Sequence, residues 1–161
     1  LDASRALWLG GANPRFVGRL FAVIDDKGLL VLDRVLGRTS NPVEARAYTR
    51  KNTTFSENDV RLKGEFERAR MTFAADRPAV LRRATALLSL GRNEPPVMMR
   101  WQTLGKERNV TMASLLTRGD GKVDLSVESD GEQVVVVKIS GDGWTRTLRL
   151  TSRLMPAETN E

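Results

Sequence analysis

The chain has 161 residues, 40% of them hydrophobic and 29% charged, which is the balance of a globular domain with a buried core rather than of a disordered chain. It contains no Cys and no His, which removes thiolate chemistry, the usual zinc sites and the commonest general base near neutral pH. A net charge of +6 draws anions, but the basic residues are dispersed as singles and pairs rather than gathered into a nucleic-acid arm.

The opening "LDASRALWLGG" lacks the basic end and apolar centre of a secretory signal, and a chain that starts at Leu1 without Met reads as a piece of a longer one. No apolar run approaches the ~20 residues of a membrane helix, so no membrane partner is expected. The first strong pattern is "FVGRLFAVIDDKGLLVLDRVLG", Phe16 to Gly37, two apolar runs about a turn at Asp25-Asp26-Lys27-Gly28. Leu20 to Ile24 and Leu29 to Leu32 are apolar at every position. Such strands are central in their sheet and covered on the outer side too, by a neighbouring segment or another domain.

"VEARAYTRK" and "VRLKGEFERARMTFAA" continue as strands. In the second, the apolar phase shifts from Val60, Leu62 and Phe66 to Ala69, Met71 and Phe73, which predicts a bulge or turn near Gly64 or Arg68. Over residues 76–91 local propensity favours a short helix, with Asp76 as N-cap, Pro78 in the first turn and Gly91 at the end. The surrounding meander favours strand, and tertiary context overrides propensity; strand is the expectation and helix the alternative. "PVMMRWQTL" and "NVTMASLLT" follow as a strand pair joined around Gly105-Lys106.

Beyond Gly119-Asp120-Gly121 the turn clusters recur about every ten residues. "KVDLSVES" alternates, with Val123, Leu125 and Val127 on one face. "EQVVVVKIS" is apolar on both faces, and "WTRTLRLTS" groups Trp144, Leu148 and Leu150. The expectation is an all-β, antiparallel, two-sheet sandwich of about ten to eleven strands. Residues 1–155 read as one domain and 156–161 as a frayed tail.

No catalytic constellation emerges. Asp25-Asp26 reads as turn chemistry, and Asp33 inside an apolar strand needs Arg34, Arg19 or backbone donors, reading first as a structural ion pair and second as a catalytic carboxylate. The loops "GDGK" and "SGDGW" lack the oxygen spacing of a calcium site, so neither metal nor cofactor is expected. Tyr48, the lone tyrosine, has arginines nearby as a proton donor would, but reads first as an amphipathic packing residue. Trp8, Trp101 and Trp144 are candidate sugar platforms against a commoner role in the core. "NTT" at Asn52 and "NVT" at Asn109 match a glycosylation pattern that matters only in a eukaryotic secretory setting.

"RLFAVIDDKGLLVLDRVLG" resembles the start of the C-terminal β domain of heparinase II/III-like polysaccharide lyases, with Arg19, Asp33 and Gly37 fitting the pattern. "VRLKGEFERARMTFAADRP" looks like that family's strands leading to a Pro, and "VMMRWQTLGKERNVTMASLLTRGDG" like its late strand pair. The resemblance implies an accessory domain, packed on a missing helical catalytic domain of the same parent chain and lining an acidic-polysaccharide cleft. It implies a bacterial, periplasmic or secreted enzyme acting by β-elimination, with this chain silent because the His such domains contribute is absent. Arg19, Arg34, Arg100 and Trp101 are the candidate cleft residues. The alternative is a stand-alone glycan- or protein-binding module. Nucleic acid is disfavoured because aromatics do not interleave with the basic residues.

Overall fold

A computed structural model describes residues 14–49, 52–64, 67–85, 96–130 and 133–157. The opening hairpin forms as expected: β1 (Pro14–Ile24) and β2 (Gly28–Asn41) pair antiparallel, Leu20 opposite Leu32 and Ala22 opposite Leu30. Asp25 takes the left-handed conformation at φ 46° in the turn, one that Asp accepts more readily than most residues. Lys27 N–H closes the turn on the Ile24 carbonyl at 2.8 Å.

This hairpin is one end of a six-stranded sheet in the order β1-β2-β9-β6-β5-β4. Its other members are β4 (Asn52–Phe55), β5 (Asp59–Lys63), β6 (Arg68–Ala75) and β9 (Glu107–Arg118). The phase shift expected near Gly64 is a turn between β5 and β6, with Gly64 N–H on the Glu67 carbonyl at 2.8 Å. Two three-stranded sheets complete the fold: β3 (Glu44–Thr49), β8 (Val97–Thr103) and β7 (Ala79–Thr85) in the order β3-β8-β7, and β10 (Asp124–Asp130), β11 (Val134–Gly141) and β12 (Trp144–Thr151) in chain order.

The side-chain alternation of β9 shows where the small sheets lie. Ala113 and Leu115 pack with Leu30, Leu32, Val127, Val135, Val137 and Ile139 in one core. Val110 and Met112 point the opposite way and pack with Val60, Phe73, Met99 and Trp101 in a second. The small sheets therefore cover opposite faces of the large one. The expected antiparallel sandwich is present, with three sheets and twelve strands among the described residues where two sheets and ten or eleven strands were expected. The middle layer has a core above and below it at β9 and β6, but the opening hairpin departs from its expectation: β1 is an edge strand, and the second core takes in no residue of β1 or β2 among the described residues.

The C-terminal hairpins also match expectation. Val123 and Val127 are buried beside half-buried Leu125, and β11 is the central strand of its sheet. Gly141 is required by packing, because a Cβ there would meet the Trp144 indole at 2.4 Å. The expectation of strand holds over residues 79–85, and the alternative helix over 76–91 is absent from its described part, while 86–91 lie outside the described residues. The tail expected from Pro156 is held at its start by a bridge to Leu150 and by Ala157 N–H on the Arg149 carbonyl at 3.1 Å; residues 158–161 lie outside the described residues.

Asp76 is not a helix cap. Its side chain is 1% exposed, 3.6 Å from the Arg34 guanidinium, and accepts from Thr111 N–H at 2.9 Å and from the Ser129 hydroxyl. Arg34 also donates to the Thr111 hydroxyl. This polar joint ties β2, β9 and β10 to the turn before β7. Breaking a buried pair from one side costs about 3–5 kcal/mol, because the surviving charge stays buried.

Candidate functional site

The residues of β3, β8 and β7 that point away from the second core form a solvent-facing surface. Strand register places Arg46 directly opposite Arg100, and Arg100 directly opposite Arg82. Three arginines thus lie in one row across three strands, with the outer two about 10 Å apart. The next row is Tyr48, Met98 and Ala84, and the row on the other side is Glu44, Gln102 and Val80. Like charges directly opposite each other destabilise a sheet.

Glu44 is the one carboxylate in these rows. Its oxygens accept from Arg100 Nε at 2.8 Å, from Arg100 Nη2 and from Arg46 Nε. Burial alone pushes the Glu44 carboxyl up, but the hydrogen bonds from Arg100 and then Arg46 outweigh it and hold the group below the ordinary carboxylate range. The hydrogen bond to Glu44 strengthens the Arg100 cation most, while the neighbouring Arg46 charge opposes it. Arg82 has no such partner: among the described residues it makes no hydrogen bond or ion pair. The row keeps a net positive charge, with Tyr48 half-exposed at its edge. Guanidinium forks, an amide at Gln102 and an aromatic ring are groups that bind the carboxylates, sulfates and hydroxyls of an acidic sugar.

The candidates read from the sequence separate. Arg100 belongs to the row. Arg19 lies on the large sheet, in a groove beside β3, and makes a two-point pair with Asp33 at 2.6 and 2.9 Å. The ion pair expected for Asp33 is therefore the one to Arg19. That groove also holds Arg108, Glu44 and Glu107, so its carboxylates outnumber its cations and it favours an anion less than the row does. Arg34 is fully buried in the joint with Asp76. Trp101 is 6% exposed, tilted on Phe73 at 5.8 Å between ring centres, with its indole N–H on the Ala74 carbonyl at 3.2 Å. A ring enclosed in this way cannot stack on a sugar, and a guanidinium at zero exposure cannot meet one. Arg34 and Trp101 have structural roles in this chain, which corrects their place among the cleft residues.

Arg46 and Arg82 escaped the sequence reading. Arg46 is the one basic residue of β3 and Arg82 one of an adjacent pair in β7, and only the register brings them beside Arg100. Trp144 is half-buried against the first core, and Trp8 lies outside the described residues. Among the described residues no group of three acidic side chains converges to hold a metal.

A second surface is apolar. Where the β3-β8-β7 sheet stops short of the opening hairpin, Phe21 (57% exposed), Val23 (76%), Leu29 and Leu116 lie on one face of β1, β2 and β9. The second core lies over β9 and β6, so the outer covering expected for this hairpin is not supplied to it among the described residues.

No family model and no curated protein sequence matches the chain. Its fold is shared with solved lyase structures. Two heparinase III structures match 84% of the chain at a TM-score of 0.70, with 10% and 15% identity. Heparan sulfate lyase HepC from Pedobacter heparinus matches 90% of it at a TM-score of 0.65 and 12% identity. The chain spans about a quarter of each of those proteins: 24% and 23% of the heparinase III chains and 25% of HepC. The likeness read from the opening hairpin therefore holds at the level of the fold.

Proposed function

We propose that this chain is an accessory β-sandwich domain of a heparinase II/III-like polysaccharide lyase. It packs on a helical catalytic domain of the same parent chain and presents a basic face to an acidic polysaccharide. The observation that carries the reading is the row Arg46–Arg100–Arg82, three cations held side by side against sheet electrostatics with only Glu44 between them. The fold it shares with structures named for heparin and heparan sulfate cleavage supports the ligand class. The apolar patch at Phe21 and Val23 supports a packing partner, since such a surface is costly to leave in water.

On this reading the β-elimination chemistry resides in the rest of the parent enzyme, for the chain has no His and its lone tyrosine, Tyr48, stands beside arginines without a second catalytic group. Arg19, at the rim of the groove, is the second contact toward the cleft. A bacterial lyase meets such polymers outside the cytoplasm, so the parent is periplasmic or secreted. The test is binding of the chain to heparan sulfate and to neutral dextran at physiological salt, with ultraviolet absorbance to detect unsaturated product. Saturable binding to heparan sulfate alone, without product and weakened by Arg82→Ser with Arg100→Ser, is expected. Equal binding by that variant, or release of product, overturns the reading.

A further inference from the structure

The six-stranded sheet is left open at its β4–β5 end on the side facing away from the arginine row. Here Arg61 lies directly opposite Arg70 and next to Thr54, and Lys63 directly opposite Arg68 and next to Asn52. Four cations thus occupy two neighbouring strands on one face, with like charges in both cross-strand positions. Two of them are answered: Asp59 pairs with Arg70 at 3.2 Å, and Asp120 with Arg68 at 2.8 Å. Arg61 and Lys63 are exposed and make no hydrogen bond or ion pair among the described residues. Asp59, Asp120 and the Asp120 carbonyl, which accepts from Arg70 at 3.3 Å, fix the inner pair and leave the outer pair open to water.

We propose that this face is a second polyanion-binding surface. Arg61 and Lys63 supply its charge, and Asn52 and Thr54 supply neutral hydrogen-bond donors beside them. The face carries no aromatic side chain among Asn52, Thr54, Arg61, Lys63, Arg68 and Arg70, so it offers nothing on which a base would stack. A sulfated or uronate polysaccharide fits better than single-stranded nucleic acid. The ligand class rests on the function proposed above; the existence of the site does not, because it shares no residue with the arginine row. The small sheets cover opposite faces of the large one, so the two basic surfaces look in opposite directions and one domain holds two glycan chains at once.

Titration calorimetry with a short heparan sulfate oligosaccharide, and light scattering with long-chain heparan sulfate, test this on three proteins: wild type, Arg61→Ser with Lys63→Ser, and Arg46→Ser with Arg82→Ser. Two oligosaccharides per wild-type chain are expected. Either pair of changes should reduce this to one and abolish the scattering that long chains produce by bridging molecules. Melting temperatures should stay close to wild type, because all four changed side chains are exposed. If the Arg61 and Lys63 changes leave stoichiometry and scattering unchanged, the second surface does not exist. If they abolish the only binding event while the row variant behaves as wild type, the second surface stands and the row reading falls. Tighter binding of a short single-stranded oligonucleotide than of the oligosaccharide at this face overturns the ligand class.

Discussion

Arg34 and Arg82 are the same residue type on strands of one domain, and the fold treats them in opposite ways. Arg34 is fully buried, with Asp76 and Thr111 as partners, while Arg82 faces water with no partner among the described residues. A buried guanidinium must be answered from within, since an uncompensated buried charge is strongly destabilising. An exposed one is hydrated and can be left for an outside anion. In this molecule, then, full burial with internal partners marks the structural arginine, and an accessible position beside other cations marks the candidates for binding.

The contrast can be broken most directly at Asp76. Asp76→Ala should destabilise the chain by about 3–5 kcal/mol in chemical denaturation, because Arg34 stays buried without its carboxylate. A loss below about 1 kcal/mol would mean that other groups answer Arg34 and that Asp76 is not its principal counter-charge. Trp101→Ala should cost a similar amount, about 3–5 kcal/mol, by emptying the second core. Its folded fraction should still bind heparan sulfate, and loss of binding with the fold intact would restore Trp101 as a glycan contact. Arg82→Ser should leave stability within about 0.5 kcal/mol of wild type. It should weaken heparan sulfate binding about tenfold, as one charge-assisted contact would, and flatten the salt dependence of the affinity.

Glu44 sharpens the comparison from the acid side. Its carboxyl is held below the ordinary range in the folded chain, so the stability it adds is complete above the unfolded value of about 4.3 and is lost as pH falls through the folded value. Acid melting curves should show a smaller loss for Glu44→Gln than for wild type. The same variant should bind heparan sulfate more tightly at neutral pH, since the internal competitor for Arg46 and Arg100 is weakened. The smallest effect is expected from Phe21→Ser with Val23→Ser. Both residues are mostly exposed, so the melting temperature should stay within a few degrees of wild type.

Much of the fold was legible because strands and turns are local. The alternation of "KVDLSVES", the all-apolar "VVVV" and the Asp- and Gly-bearing turns each report their own neighbourhood. The strands without a polar face misled in part: the second core lies over β9 and β6, while Phe21 and Val23 on the outer face of the hairpin are exposed. Partners distant in sequence were not legible. Asp76 looks like a helix cap beside Pro78 until the fold brings Arg34 and Ser129 to it. Trp101 looks like a platform between polar residues until its strand faces Phe73. The arginine row depends on two registers at once, β3 with β8 and β7 with β8, and no feature of the separate segments fixes either.

Chemical-shift mapping of the amides during titration with a heparan sulfate oligosaccharide tests the central claim most directly. The account predicts that the largest changes fall on the outward residues of β3, β8 and β7, at Arg46, Tyr48, Arg82, Arg100 and Gln102, with a second set on β5. Changes confined to the groove around Arg19 and Asp33, with the row silent, would contradict it.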